Sequence, residues 1–247
     1  MFVAASTRCF GDKTFSEACA VLEDLEYDKI EIWMDESSQH LKPSKVLADT
    51  DGFVASFRET SRLGVVAICL EHDVTVETLA GLCKLAKLLK VAQITVPASP
   101  IGTPFNAEID RLREFTRIAS EDGLRLSIKT KTGQLTEDAH TAVELCQAVK
   151  GLGLTLDPSF YICGPNRGGS FDQVFPYVYH VHLRDTTPDQ LQIQVGLGEI
   201  DYSRLIGQLS REHYNRALSV DFFPELLNDE TRPLELRKLR MLLETLL

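Results

Sequence analysis

One local pattern recurs eight times along this chain. A short apolar or alternating run is followed by a stretch whose apolar residues recur three and four positions apart. The strand-like runs are Phe2–Ser6, Lys29–Trp33, Gly64–Leu70, Gln93–Pro97, Arg125–Lys129, Gly153–Asp157, Val178–Leu183 and Ala217–Asp221. Helical stripes lie between them, such as Phe15, Ala18, Leu22 and Leu25, or Ile109, Leu112, Phe115 and Ile118. Strands mostly too apolar for a wet face, alternating with helices, imply a parallel sheet covered by helices. Eight such units in 247 residues match the usual length of a closed (β/α)8 barrel, about 250 residues. A doubly wound open sheet normally has a glycine-rich first turn, and Thr7-Arg8-Cys9-Phe10-Gly11-Asp12 is not one. We therefore expect a single (β/α)8 TIM barrel over residues 1–247, without an internal linker.

Local signals agree with that reading. Thr14, with Glu17 three residues on, forms a capping-box pattern ahead of a helix. Thr136 is expected to head the helix after the fifth strand, with Glu137 and Asp138 in its first turn. Gly123 and Gly151 fall where helices end in a left-handed residue.

Charge and composition exclude several function classes. The formal charge is 26 − 36 = −10 with no basic block, so nucleic acid is not an expected partner. Arg232, Arg237, Lys238 and Arg240 read as the solvated face of the last helix. No run approaches 18 apolar residues, so no membrane association is expected. The N-terminus lacks the basic start and long apolar stretch of a signal peptide. Six cysteines without a CxxC pair or Cys/His metal spacing fit a reduced, cytoplasmic protein.

Active sites of this architecture gather at the C-terminal ends of the strands. The groups to watch are therefore Glu31 and Trp33, Glu71 and His72, Lys129, Asp157, His182, Arg184, Asp185, and Asp221. Each has a plainer reading beside the functional one. Glu31 could be a structural pair, Trp33 could pack against a loop, and Asp185 could orient a neighbour. Arg184 keeps the parity of His182 but lies past the strand, so a surface role stands beside anion binding. His180 reads as a packed core histidine, Asp73 as a helix cap, and His40, His140 and His213 as surface residues.

Several of these segments resemble the xylose isomerase-like TIM barrels, which include sugar-phosphate isomerases and epimerases and the type II AP endonucleases. His180-Val181-His182-Leu183-Arg184-Asp185 is similar to the family's seventh-strand pattern, and Gly196-Leu197-Gly198-Glu199-Ile200-Asp201-Tyr202 to the segment after it. Leu154-Thr155-Leu156-Asp157 resembles the sixth-strand aspartate motif, and Ile30-Glu31-Ile32 the second-strand motif. In metal-dependent members a divalent ion is held by a glutamate ending strand five, the strand-six aspartate, the strand-seven histidine and a strand-eight glutamate. The resemblance puts Asp157 and His182 on two of those positions. Asp221 stands for the strand-eight glutamate, and Lys129 stands where the strand-five glutamate would be.

An ammonium in a metal-ligand position repels the ion by several kcal/mol even at an effective dielectric of about 20. Three ligands, Asp157, His182 and Asp221, can still hold zinc with water. The resemblance thus implies either no cofactor or a weakly bound divalent ion (manganese, magnesium or zinc). It implies a small sugar-like substrate, and a homodimer through the mouth loops. Two functions stay open. One is an isomerase or epimerase in which Lys129 and Asp221 flank the substrate, His182 assists, and Glu31, Trp33, Glu71, His72, Arg184 and Asp185 bind it. The other is a pseudoenzyme that binds a carbohydrate or metabolite without turnover, with Lys129, Asp157 and Asp221 as a buried relic. AP endonuclease activity is rejected, because it needs a histidine-rich zinc cluster and a basic DNA surface.

Overall fold

The computed structural model describes residues 1–247. Its eight strands are β1 (Phe2–Ser6), β2 (Lys29–Met34), β3 (Gly64–Leu70), β4 (Gln93–Pro97), β5 (Arg125–Lys129), β6 (Leu152–Leu156), β7 (Val178–Leu183) and β8 (Ala217–Val220). Each pairs in parallel with the next, and β8 pairs with β1 to close the barrel. Helices α1 (Phe15–Asp24), α2 (Pro43–Ala48), α3 (Thr50–Thr60), α4 (Val76–Leu88), α5 (Phe105–Glu121), α6 (Ala139–Ala148), α7 (Pro158–Ile162), α8 (Tyr202–Arg211) and α9 (Arg232–Leu246) follow in turn. No helix is long and apolar enough to cross a membrane. All six cysteines are free thiols.

Alternation along the strands sorts two interiors. Ile30, Ile32, Ile68, Ile94, Val96, Leu126, Ile128, Leu154, Val181 and Leu218 join the apolar core that includes the helices. The residues between them are polar and equally buried, among them Glu31, Thr95, Ser127, Thr155, His180, His182 and Ser219. In the barrel, Gln93 Nε2 donates to Ser127 Oγ (2.6 Å), while the Thr95 and Ser127 hydroxyls lie 2.8 and 2.6 Å from Thr155 Oγ1. A buried hydroxyl needs such a partner, since stranding one costs about 1–3 kcal/mol.

Two register shifts adjust this pattern, one between Ile30 and Glu31 and one between Leu154 and Thr155. At the second, Val178 pairs with Leu154 and His180 with Thr155, so Tyr179 is the extra residue of a bulge. Room for its ring comes from Gly153, where a Cβ would overlap the Tyr179 Cγ and Cδ2 atoms.

Most local signals hold. Thr14 and Glu17 form the reciprocal capping box at α1, and Gly123 and Gly151 take φ of +75° and +90°. Thr136 does not head α6. It lies in a 3₁₀ turn and donates to the Lys129 carbonyl at 2.7 Å, and Asp138 caps the helix instead. Asp73 is not the α4 cap either; Thr75 is, and Asp73 pairs with Arg111.

Gly153→Ala should destabilise the barrel by about 1–3 kcal/mol through overpacking. The added variant Tyr179→Ala should recover most of that loss. Denaturant midpoints of the single and double variants check this, and an unchanged midpoint in Gly153→Ala contradicts it.

Candidate functional site

Side chains from β5 to β8 meet on the barrel axis around one guanidinium. Arg184 NH1 donates to Asp157 Oδ2 and to Ser159 Oγ, both at 2.7 Å. Its NH2 donates to Asp221 Oδ2 at 2.9 Å, and its Nε to the Asp221 carbonyl at 2.8 Å. Lys129 Nζ donates to the same Asp221 Oδ2 at 2.8 Å. Ser159 turns its Oγ and backbone N–H to Asp157 Oδ1, at 2.5 and 3.2 Å. All five residues are buried, Arg184 completely.

Burial alone would raise the Asp221 carboxyl pKa, but Lys129, His182 and Arg184 hold it well below the usual carboxylate range. Burial would likewise lower that of Lys129, and Asp221 keeps it above the ordinary lysine value. The pair is therefore ionised across the neutral range.

Beneath this cluster, Glu31 Oε2 lies 2.5 Å from His180 Nε2 and 2.7 Å from His182 Nε2. Burial opposes ionisation of Glu31, and the imidazoles of His182 and His180 overcome it and pull its pKa down. An ionised carboxylate only accepts, so both Nε2 atoms carry protons. His182 Nδ1 faces Asp221 Oδ2 at 3.3 Å without forming a hydrogen bond.

An aromatic pair covers the axis. The Phe223 ring centroid lies 4.1 Å from the guanidinium carbons of both Arg184 and Arg8, and Phe160 packs 5.6 Å from Arg184. Gln192 pins Phe223 from both sides: its Nε2 donates to the Phe223 carbonyl (2.9 Å) and its Oε1 accepts from the Phe223 N–H (2.7 Å).

Beside this cover, the loops after β1, β2, β3 and β8 enclose a cleft of about 550 Å³. Arg8, Trp33 and Glu71 line it together: Arg8 NH1 and Trp33 Nε1 donate to Glu71 Oε2 at 2.7 and 3.1 Å, and Lys131 Nζ to Oε1 at 2.8 Å. Burial would raise the Glu71 pKa, but Arg8, Lys129 and Lys131 bring it down to about 2. Five of the lining residues are carboxylates (Asp12, Asp35, Glu71, Glu225 and Asp229), against two arginines.

The structure brings Lys129, Asp157, His182 and Asp221 together as the strand ends suggested, and adds Arg184 to them. Lys129 and Asp221 are bonded to each other, with no substrate-sized gap between them. Trp33, Glu71 and His72 line the cleft, and His72 lies 3.3 Å from Asp35 Oδ1. Glu31, Arg184 and Asp185 do not line it. Asp185 accepts from the N–H groups of Gly196 (2.8 Å) and Gly198 (3.1 Å), and a Cβ at Gly198 would overlap its carboxylate. That contact explains the glycine spacing of the segment after β7. His180 is a buried, hydrogen-bonded core residue as expected.

Other residues depart from the sequence reading. His40 is buried, with Nδ1 2.8 Å from the Lys13 carbonyl and Nε2 3.0 Å from Thr7 Oγ1. Arg232 is buried at the cleft wall and pairs with Asp12 at 2.6 Å, so it does not belong to a solvated face. Sequence reasoning missed Phe223 and Gln192 as well. The only available signal was the aromatic pair Phe222-Phe223 directly after the strand-eight carboxylate.

The sequence matches the family model described as xylose isomerase-like TIM barrel over residues 19–243. The chain belongs to that family. Among solved structures it is similar to a xylose isomerase domain protein from Alicyclobacillus acidocaldarius subsp. acidocaldarius (TM-score 0.78, 16% identity, covering 100% of this chain and 98% of that one). It is also similar to an L-ribulose 3-epimerase (TM-score 0.76, 16% identity, 100% and 96%). A third is a xylose isomerase-like TIM barrel protein from Mycobacterium smegmatis in complex with magnesium (TM-score 0.72, 16% identity, 98% and 97%). At such identities the likeness is one of fold. No curated protein matches the sequence closely enough to count as a relative. Asp157, His182 and Asp221 each offer a donor atom within 4.8 Å of the others, as do Glu31, Cys69 and His182.

The depressed Glu71 pKa sets a sign for acid stability. Its stabilisation is present above the unfolded value, about 4.3, and is lost as pH falls toward 2. Glu71→Gln should cost on the order of 3 kcal/mol at neutral pH by that linkage. Its stability should then fall less steeply below pH ~4.5, so the two curves converge near pH 2. Unfolding free energies measured across this range check it, and parallel curves contradict it.

Proposed function

We propose that this chain binds a neutral sugar or polyol in the cleft at the barrel mouth and carries out no metal-assisted chemistry on the axis. The observation that carries this reading is the occupation of the Asp157 and Asp221 carboxylates by Arg184 and Lys129. A divalent ion needs its oxygen and nitrogen ligands at about 2.0–2.2 Å. Here the carboxylate oxygens facing the axis already accept from a guanidinium and an ammonium, two positive charges where the ion would bring two. The donor set does not fit a metal. In this reading the family's metal site is altered, with Lys129 in the position of a ligand glutamate and Arg184 in the space of the ion.

The cleft supplies the chemistry of a carbohydrate site. Trp33 offers an aromatic face, Glu71 and Asp35 accept from hydroxyls, and Arg8 and Arg232 donate to them. Five carboxylates against two arginines favour a neutral ligand over a phosphorylated one. A sugar also suits the fold neighbours, one of which is an L-ribulose 3-epimerase.

One observation favours a second reading, an isomerase working by metal-free proton transfer. Glu31 Oε1, His182 Nδ1 and Asp221 Oδ1 are buried without partners, the kind of atoms that substrate hydroxyls would satisfy. It requires Phe223 to leave the axis.

Titration calorimetry with a panel of neutral pentoses, hexoses and inositols separates the two. Saturable binding is expected, weakened ten-fold or more in Trp33→Ala. Phosphorylated counterparts should bind more weakly, and no deuterium should enter the bound sugar in D₂O. Deuterium incorporation would establish the isomerase reading. Absence of binding across the panel, or preference for sugar phosphates, would sink the proposal.

A further inference from the structure

The end of the barrel opposite the mouth, where β5 and β7 begin, holds a cavity of about 630 Å³. Arg113, Arg117, Arg125 and Lys150 line it, and no carboxylate does, in a chain whose net charge is −10. Two buried polar atoms of its lining residues have no partner. They are Arg125 Nε and the Oγ1 of Thr116, a residue only 8% exposed. Tyr179, the bulged residue of β7, forms another part of the wall.

Helix ends account for some of this charge. α5 and α6 finish at this face, and their free carbonyls attract cations: Arg113 NH2 donates to the Ala148 carbonyl at 3.4 Å. Arg117 is taken by Glu121 on its own helix. No such account covers Arg125, the first residue of β5. Burial and then the neighbouring Arg216 push its pKa down, and no carboxylate acts on it. Arg216, which does not line the cavity, touches the Tyr179 carbonyl at 3.5 Å and lies 5.7 and 5.9 Å from the Tyr179 and Tyr214 ring centroids. A guanidinium that lines the cavity with an unpartnered Nε and no carboxylate beside it calls for an anion there. Guanidinium forks match tetrahedral oxyanions, and an unpaired hydroxyl adds a donor.

We propose that this cavity binds the phosphate group of a small phosphorylated metabolite, with Arg125, Lys150 and Thr116 as its donors. The volume exceeds that of a lone phosphate and leaves the Tyr179 ring to pack on the organic part. The overall negative charge disfavours nucleic acid, whose many phosphates extend beyond the cavity.

Inorganic pyrophosphate is the probe, titrated into the whole protein by calorimetry at low ionic strength. Saturable one-to-one binding is expected in the wild type, with a rise in melting temperature. Arg125→Ala and the exposed Lys150→Glu should each weaken binding ten-fold or more, while circular dichroism shows an intact fold. Absence of saturable binding to the wild type overturns the proposal. So does undiminished affinity in a folded Lys150→Glu and a folded Arg125→Ala. Sugar binding at the mouth should be unchanged in Arg125→Ala, so failure of one site leaves the other testable.

Discussion

The Arg184 guanidinium, held between Asp157 and Asp221, is the contact on which the barrel's polar interior depends. Two buried carboxylates facing each other need positive charge, and removing one partner of such a cluster typically costs about 3–5 kcal/mol. Arg184 and Lys129 supply two charges against Asp157, Asp221 and the deeper Glu31. The remaining negative charge falls to Glu31, which accepts hydrogen bonds from His180 and His182. Two hydrogen-bonded clusters, Lys129 and Arg184 on Asp221 above and His180 and His182 on Glu31 below, thus meet where His182 Nδ1 faces Asp221 Oδ2 at 3.3 Å.

Burial of these clusters shapes the mouth. Phe223 caps them with its backbone held on both sides by Gln192, and the same ring meets Arg8. Arg8 in turn organises Glu71, beside Trp33 and Lys131, so the cleft walls are braced from the axis outward. The centre of the fold is thereby filled by paired side chains. The open cleft lies to one side, over β1 to β3 and β8, where we propose that the ligand binds.

Much of this was legible in the sequence. The eight-fold alternation fixed the barrel because strand and helix periods are local properties. Polar groups at strand ends converged because parallel strands of one barrel all point their C-termini to one face. Lys129, Asp157, His182 and Asp221 were found in that way. Arg184 was not placed by parity, since it lies beyond the last paired residue of β7 and its direction is set by Asp157 and Asp221 from other strands. Arg232 was misread because it opens α9, where its guanidinium reaches back to the Cys9 carbonyl and Asp12, contacts more than two hundred residues away in sequence. His40 and Thr136 failed for the same reason: the first folds onto the segment after β1, and the second lies in a loop that folds back onto the end of β5. Periodicity reports which face of an element is apolar, and says nothing of what a loop folds onto.

The proposal that two side-chain cations stand in the place of an ion is tested most directly by titrating manganese into the wild-type protein and into the double variant Lys129→Glu/Arg184→Leu. The wild type should take up no stoichiometric ion. The double variant, with the carboxylates released and a third one added, should gain one ion that His182→Ala then removes. A single manganese bound to the wild type and lost in Asp157→Ala would contradict the account.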